Sequence, residues 1–351
     1  MNRKLISILT VIALLSLAFI GCAAPNDTTE PEETNGQVGE TEIDEQFEIR
    51  IATVVTEPHP WVDMANHFRD ELSARSNGNI NVTIYQSGQL GSDEDTIEDL
   101  REGILDIVIG ATTNAAPFVP EVQVFGISYL FENMDHFKRT IEPDGEVFNR
   151  IQELYEERNL NLRLLALSGG GTRNLSHANY PIETPDDLAG DSMRVTASPI
   201  EGQIWAELGA LPVSLPWGDI YSAVQTGVAD AFESTISGYF GSSLYEVAPY
   251  MAKTEHLYML SHITISEHTW NALPEQYREL IAEVAIEAGY LGTDMGEQYD
   301  EELLEEMIEN HGVQANEVDK EAFISRVEPL HTEIAQDIGA EDFLQMIRDT
   351  Q

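Results

Sequence analysis

The sequence predicts an α/β protein, and two observations predict it. Between Pro185 and Thr235 the chain reads as a turn, a short strand at Met193-Arg194-Val195, a helix, a turn near Gly209 and Pro212, an amphipathic helix over Asp219–Gln225, a glycine stop at Gly227 and a strand ending at Glu233-Ser234. Near its start, alternating Phe47, Ile49 and Ile51, a helix with Val62, Ala65, Phe68 and Leu72 on one face, and alternating Ile80, Val82 and Ile84 make a strand–helix–strand unit. Strands alternating with helices at this spacing imply a parallel sheet with right-handed crossovers, and such sheets bind ligands beyond the carboxyl ends of their strands.

Taken in order, the first strand is broken by Thr56-Glu57-Pro58-His59-Pro60, which places His59 at a carboxyl edge. The helix after it stops at Asn77-Gly78. The Gly88–Gly91 loop forms the next edge, and Ser92-Asp93 caps a helix that stops at Gly103. A buried strand follows over 104–110, with Asn114 just past its end. A helix is expected over 145–158 and a strand over 162–167, followed by a glycine-rich loop, Ser168 to Arg173. Leu257–Ile265 reads as a long strand, and helices are expected from Pro274 to about Asn310 and from Phe323 to Ile347.

Two segments resemble each other. Leu100 to Asp106 and Val224 to Asp230 each run helix, glycine, two residues, aspartate, strand. Any helix-to-strand turn favours a glycine at its end, which is one reading. The other is two lobes of similar plan facing a shared cleft, with the strands near 162–168 and 255–265 crossing between them as hinges.

Charge excludes some partners. Eighteen basic residues against 62 acidic ones give a net charge of −44. Nucleic acid and anionic lipid surfaces need basic patches, so neither is an expected ligand. Acidity on this scale suits a surface screened by high salt and does not itself identify a ligand. At the N-terminus, Arg3 and Lys4, an apolar run over Leu5–Ile20 and Gly21-Cys22 have the form of a secretory signal over 1–22. Phe19-Ile20-Gly21-Cys22 resembles a bacterial lipobox, which makes Cys22 the candidate lipidated residue. An uncleaved membrane anchor would leave the rest of the chain on the same side of the membrane. Residues 23–46, rich in Glu, Thr, Pro and Gly without a basic residue, read as a disordered acidic tether, and 47–351 as the globular module.

Enzyme motifs are absent from the sequence. It has no His-Glu-x-x-His pair, Gly169-Gly170-Gly171 lacks the Gly-Lys-Ser/Thr of a phosphate loop, and there is no Gly-x-Ser-x-Gly elbow. Neither metal nor cofactor is therefore expected. Arginine carries more information. Most arginines fall in expected helices or in the signal, but Arg173 sits in the glycine loop and Arg194 in a strand. A guanidinium matches a carboxylate with two parallel hydrogen bonds, so either could clamp an organic acid. Equally, each could pair with a local acid such as Asp186, Asp187 or Asp191. Trp217 could floor a ligand pocket or fill the core. Glu233 and Ser234 could face a cleft, or cap or hinge the strand that they end.

The central stretch, with Asp187-Leu188-Ala189-Gly190, Met193-Arg194-Val195, Gly209 to Val213, Asp219 to Asp230 and Glu233, resembles the substrate-binding proteins of tripartite ATP-independent periplasmic (TRAP) transporters, the DctP family. Gly88 to Gly91, Gly103 to Asp106, Tyr129-Leu130-Phe131, Tyr245-Glu246-Val247 and Trp270 to Pro274 match in the same order. The resemblance implies a two-lobed periplasmic-binding-protein-like α/β fold with hinge strands and a long connecting helix, closing on a ligand in the interlobe cleft. The lobes are expected at about 47–168 plus 260–299 and about 169–259 plus 300–351. It implies no enzyme, but a lipid-anchored extracytoplasmic receptor that delivers a C4-dicarboxylate, another carboxylate or a sugar acid to integral membrane subunits. A ligand-sensing receptor of a signalling system would have the same fold. By the resemblance Arg194 is the carboxylate clamp, Arg173 assists, and Trp217 packs on the ligand. Glu233 and Ser234 fall beside them, although Ser234 replaces a frequent asparagine. His59, Ser92 and Asn114 are the edge positions that would tune the choice of ligand.

Overall fold

The computed structural model describes residues 45–351. The expected signal with Cys22, and all but the last two residues of the expected tether, lie outside the described residues.

The chain begins β1 (Phe47–Ala52), α1 (Pro60–Arg75), β2 (Ile80–Tyr85), α2 (Asp93–Arg101) and β3 (Ile107–Ala111). His59 caps α1 through its side chain, with Pro60 at the first helical position. Ser92 caps α2 in a reciprocal capping box with Asp95. After α3 (Met134–Thr140) and α4 (Glu146–Glu157) comes the long strand β4 (Leu162–His177). Then follow β5 (Ser192–Val195), α5 (Pro199–Glu207), β6 (Leu211–Ser214), α6 (Ile220–Gln225), β7 (Ala231–Thr235) and α7 (Ile236–Gly241). The second long strand, β8 (Tyr250–Ser266), leads through α8 (Glu267–Ala272) into α9 (Glu275–Asn310). The chain closes with β9 (Gln314–Glu317), α10 (Lys320–Val327), α11 (His331–Asp337) and α12 (Glu341–Asp349).

Among the described residues the strands form one sheet in the order β2-β1-β3-β8-β4-β7-β5-β6, with β9 against β8. β1 is parallel to β2 and β3, and β5 is parallel to β6 and β7. The two long strands run antiparallel to each other and to β3 and β7. The sheet is thus mixed, not wholly parallel as the strand–helix alternation implied. The departure comes from the hinge strands, whose chain direction is set by returning from one half of the sheet to the other.

The order reads the same from both ends, 2-1-3-8 against 6-5-7-4, and the repeated segment lies at matching places in the two halves. Gly103 and Gly227 are both left-handed, with φ of +72° and +74°. The Ile104 and Leu105 amides donate to the Asp99 carbonyl, as the Val228 and Ala229 amides donate to that of Ala223. The Asp106 carboxylate accepts from the Arg50 amide at the head of one parallel pair, and Asp230 from the Ser192 amide at the other, both at 2.9 Å. A glycine stop alone would not bring the aspartates to equivalent strands, so the likeness belongs to two halves of one plan.

The glycine run expected to be a loop is instead the middle of β4. It bulges there, with register shifts against β8 between Gly169 and Thr172. The absence of side chains lets α9 lie directly on it. A Cβ at Gly296 would stand 2.5 Å from the Gly171 amide nitrogen, and one at Gly289 2.7 Å from the Leu167 carbonyl. The contact is stitched by Ser168 Oγ donating to the Gly289 carbonyl, the Gly169 amide donating to Thr293 Oγ1, and the Thr172 amide donating to Asp300. The helix expected over 323–347 is broken into three. Pro329 ends α10, because it cannot donate within a continuing helix, and left-handed Gly339 ends α11.

Candidate ligand-binding site

The carboxyl ends of β1 and β3 in one half, and of β5 and β7 in the other, face a cavity of about 230 Å³ whose floor is the crossing of β4 and β8. The first half contributes His59, Trp61, Asp93 and Asn114. The second contributes Arg194, Glu201, Trp205, Trp217 and Glu233, and the long strands contribute Arg173, His256 and Met259. Of the residues singled out from sequence, Arg194, Arg173, Trp217, Glu233, His59 and Asn114 line this cavity. Ser92 and Ser234 do not. The Ser92 hydroxyl is used in capping α2, and that of Ser234 donates to the Thr235 carbonyl.

The two arginines differ in what holds them. Arg173 lies in strand β4, in register with Thr235 and Leu257. Its Nε and Nη2 engage both carboxylate oxygens of Glu233, and Nη2 also donates to the Glu233 carbonyl at 3.1 Å. Both side chains are buried, at 6% and 2% exposure. Burial works against the charge on each. The partner outweighs it, so the Arg173 pKa rises and that of Glu233 falls well below the usual carboxylate range. His256 sits 3.5 Å from the same carboxylate. Burial lowers its pKa, and Thr254 Oγ1 lies 2.9 Å from Nδ1 while accepting from the Leu175 amide. An ionised carboxylate can only accept, so the proton sits on Nε2, facing Glu233, and Nδ1 accepts from the Thr254 hydroxyl.

Arg194 is 3% exposed and has no carboxylate partner within salt-bridge distance among the described residues. Its Nε donates to the Leu215 carbonyl at 2.9 Å, while Nη1 is sealed from solvent without a partner. Its guanidinium carbon lies 5.8 Å from the centre of the Trp217 ring, a cation–π placement. The local acids that could have paired with it are engaged elsewhere. Asp186 takes Arg326, Asp187 caps the turn at Thr184, and Asp191 takes His177 and Tyr180. Burial lowers the Arg194 pKa, against the pull of Glu201 and Glu233. Trp217 is held in place by Gly238, where a Cβ would come within 3.0 Å of its ring.

His59 is buried and its Nδ1 accepts from the Trp61 amide at 3.1 Å, which leaves Nε2 as an N–H donor. Burial, with the Arg173 charge, pushes its pKa down to about 3, so it stays neutral.

Sequence reasoning missed Glu201 and Asp93 as cavity groups. Both are partly buried. Burial, helped by Glu233 in one case and Glu94 in the other, pushes Glu201 up to about 8 and Asp93 up to about 7. The Asn114 side chain pulls the Asp93 value part of the way back down. Their only signal in sequence is position in the first turn of a helix that follows an edge loop, which many acids of this chain share.

Two like half-sheets, joined by a pair of long strands and backed by one long helix, with a buried cation in the cleft between strand ends, define a solute-binding protein. The chain belongs to the DctP family: the model for bacterial extracellular solute-binding protein, family 7, matches residues 51–337. A solute-binding protein of Sulfitobacter sp. (strain NAS-14.1) is 30% identical over 302 residues, 86% of this chain and 90% of the relative. A TRAP periplasmic solute-binding protein from Chromohalobacter salexigens, solved with bound D-glucuronate, has a TM-score of 0.80 at 29% identity, covering 86% of this chain and 100% of that one. Another from Sulfitobacter sp. NAS-14.1, with bound α-D-taluronate, has a TM-score of 0.80 at 29% identity, covering 86% and 97%. Among the described residues no helix is long and apolar enough to cross a membrane.

Proposed function

We propose that this chain captures a sugar acid outside the cytoplasmic membrane and passes it to the membrane subunits of a TRAP transporter. The observation that carries the reading is the contrast between Arg194 and its surroundings. One buried guanidinium has a free hydrogen-bonding edge, while the remaining ionisable groups of the cleft are mostly carboxyls: Asp93, Glu94, Glu201 and Glu233. A ligand with one carboxylate and several hydroxyls suits that set. Its carboxylate takes Arg194 and its hydroxyls donate to the acids, with Asn114 and the His59 Nε2–H beside them. A C4-dicarboxylate would need a cation for its second carboxylate, and the other arginine of the cleft, Arg173, is already paired with Glu233. The bound uronates of the two solved relatives agree with the choice.

Trp217 would cover an apolar ring face, while Arg173 and Glu233 hold the floor. Ser92 and Ser234 would act through the capping and the strand end that they support. The lobes would divide at about 168–169 and 259–260, where the β4 bulge meets α9, and closure there would bury the ligand. The role is that of a receptor and not of an enzyme, and Cys22, outside the described residues, would carry the lipid that tethers it to the membrane. Thermal-shift and calorimetric titration with D-glucuronate, D-galacturonate, succinate and malate tests the reading. Stabilisation by a uronate and none by the dicarboxylates is expected, and the reverse would overturn it.

A further inference from the structure

Glu201 is placed unlike the other acids of the cleft. It stands in the first turn of α5, seven residues after Arg194. Its Oε2 accepts from both the amide and the hydroxyl of Thr196, which fixes the carboxyl group. Its Oε1 is sealed from solvent, and no donor reaches it among the described residues. The side chain lines the same cavity as Glu233, whose charge adds to burial in raising the Glu201 pKa. Glu233 has no donor to give, since both of its oxygens are taken by Arg173 and one is approached by His256. A carboxylate oxygen sealed from water with no donor to meet it, in a cavity that already holds a second carboxylate, is relieved by taking up a proton.

We propose that Glu201 is a carboxylic acid in the working receptor, and that its proton makes anion capture pH-dependent. Charged and titratable groups face it from several elements. Arg173 on β4 and Glu233 on β7 cancel, His256 on β8 is neutral, and Arg194 on β5 is positive. Asp93 and Glu94 on α2, and neutral His59 before α1, line the same cavity from the other half. With Glu201 protonated, the second half of the cleft presents one net positive charge to one ligand carboxylate. With Glu201 ionised that charge is cancelled, and the ligand meets a second anion beside Glu233. The upward displacement of the Glu201 pKa by burial and by Glu233 puts the change just above neutrality. Asp93, also raised by burial, lies on α2 in the other half of the cleft, so Asp93→Asn separates its contribution.

The inference rests on the anion-binding reading, and its test keeps the two apart. The first arm uses ligand-free protein, comparing thermal unfolding of the wild type and Glu201→Gln between about pH 5 and pH 9. The folded pKa is raised, so the stability tied to this proton is greatest below the unfolded value and is lost as pH rises toward the folded one. The wild type should therefore lose stability relative to Glu201→Gln across that range, and parallel curves would overturn the proposal. The second arm titrates D-glucuronate from about pH 7 to pH 9.5, where wild-type affinity should fall by up to about tenfold per unit above about pH 8. Glu201→Gln, which keeps the neutral shape, should lose that slope, while Asp93→Asn should keep it. Calorimetry of the wild type in buffers of different ionisation enthalpy should find uptake of more than about half a proton at about pH 8.5. A wild-type slope preserved in Glu201→Gln, or binding without proton uptake, would overturn the proposal. Absence of D-glucuronate binding at every pH would overturn the sugar-acid reading instead, with the first arm still deciding where the proton sits.

Discussion

Arg173 and Glu233 face each other fork to fork at the floor of the cleft, both buried, and their pairing leaves Arg194 as the cleft arginine with an unpartnered guanidinium nitrogen. The pair crosses from β4 to β7 and so ties a hinge strand to the half-sheet that carries Arg194. A buried pair is worth little net stability when intact, because desolvation offsets the attraction, but removing one partner strands the other charge. Glu233→Ala should therefore cost about 3–5 kcal/mol in chemical denaturation. Replacing both residues with apolar ones of similar volume should cost far less. Equal losses for the single and double variants would show that the pair does not work in this way.

Acid should weaken the fold through two histidines. His59, pushed down to about 3, and His262, pushed down to about 4, are buried and neutral. Below about pH 6.5 the unfolded chain takes up protons that the folded chain refuses, so stability falls as pH drops toward the folded values. His59→Asn keeps an acceptor to cap α1 and should flatten this acid limb in urea titrations at stepped pH. An acid limb as steep as that of the wild type would assign the sensitivity elsewhere.

The glycine face of α9 makes the hinge sensitive to a single methyl group. Gly296→Ala would place a carbon 2.5 Å from a backbone nitrogen of β4, so helix and strand must move apart. A loss of about 1–3 kcal/mol is expected. Ligand affinity should fall with it, since the same contact frames the bulge from which Arg173 is presented. A stability within 0.5 kcal/mol of wild type, as for an ordinary surface change, would mean that the contact is not tight.

Much of the fold was legible because its signals are local. Period-two strands, proline and serine at helix starts, and glycine at helix ends located β1 through β3 and the Pro185–Thr235 stretch. Gly103 and Gly227 with their aspartates announced the internal likeness, and the Arg50 and Ser192 amides now explain why an aspartate is needed there. What was not legible depends on partners distant in sequence. Gly169 to Gly171 look like a loop until α9, more than a hundred residues on, supplies the surface that excludes side chains. In the site, Arg194 was legible as an oddly placed cation in a strand. Glu201 was not, because in a chain so rich in acids its distinction lies in what fails to reach its outer oxygen.

The proposed anchor of the ligand carboxylate is Arg194. Isothermal titration of D-glucuronate into the wild type, Arg194→Ala and Arg194→Lys tests it most directly. Removing one partner of a buried, hydrogen-bonded charge pair should weaken binding by about a hundredfold or more in Arg194→Ala, with only partial recovery in Arg194→Lys, which lacks the planar fork. Binding by Arg194→Ala within about threefold of the wild type, less than the weakest effect expected of such a contact, would mean that the carboxylate sits elsewhere.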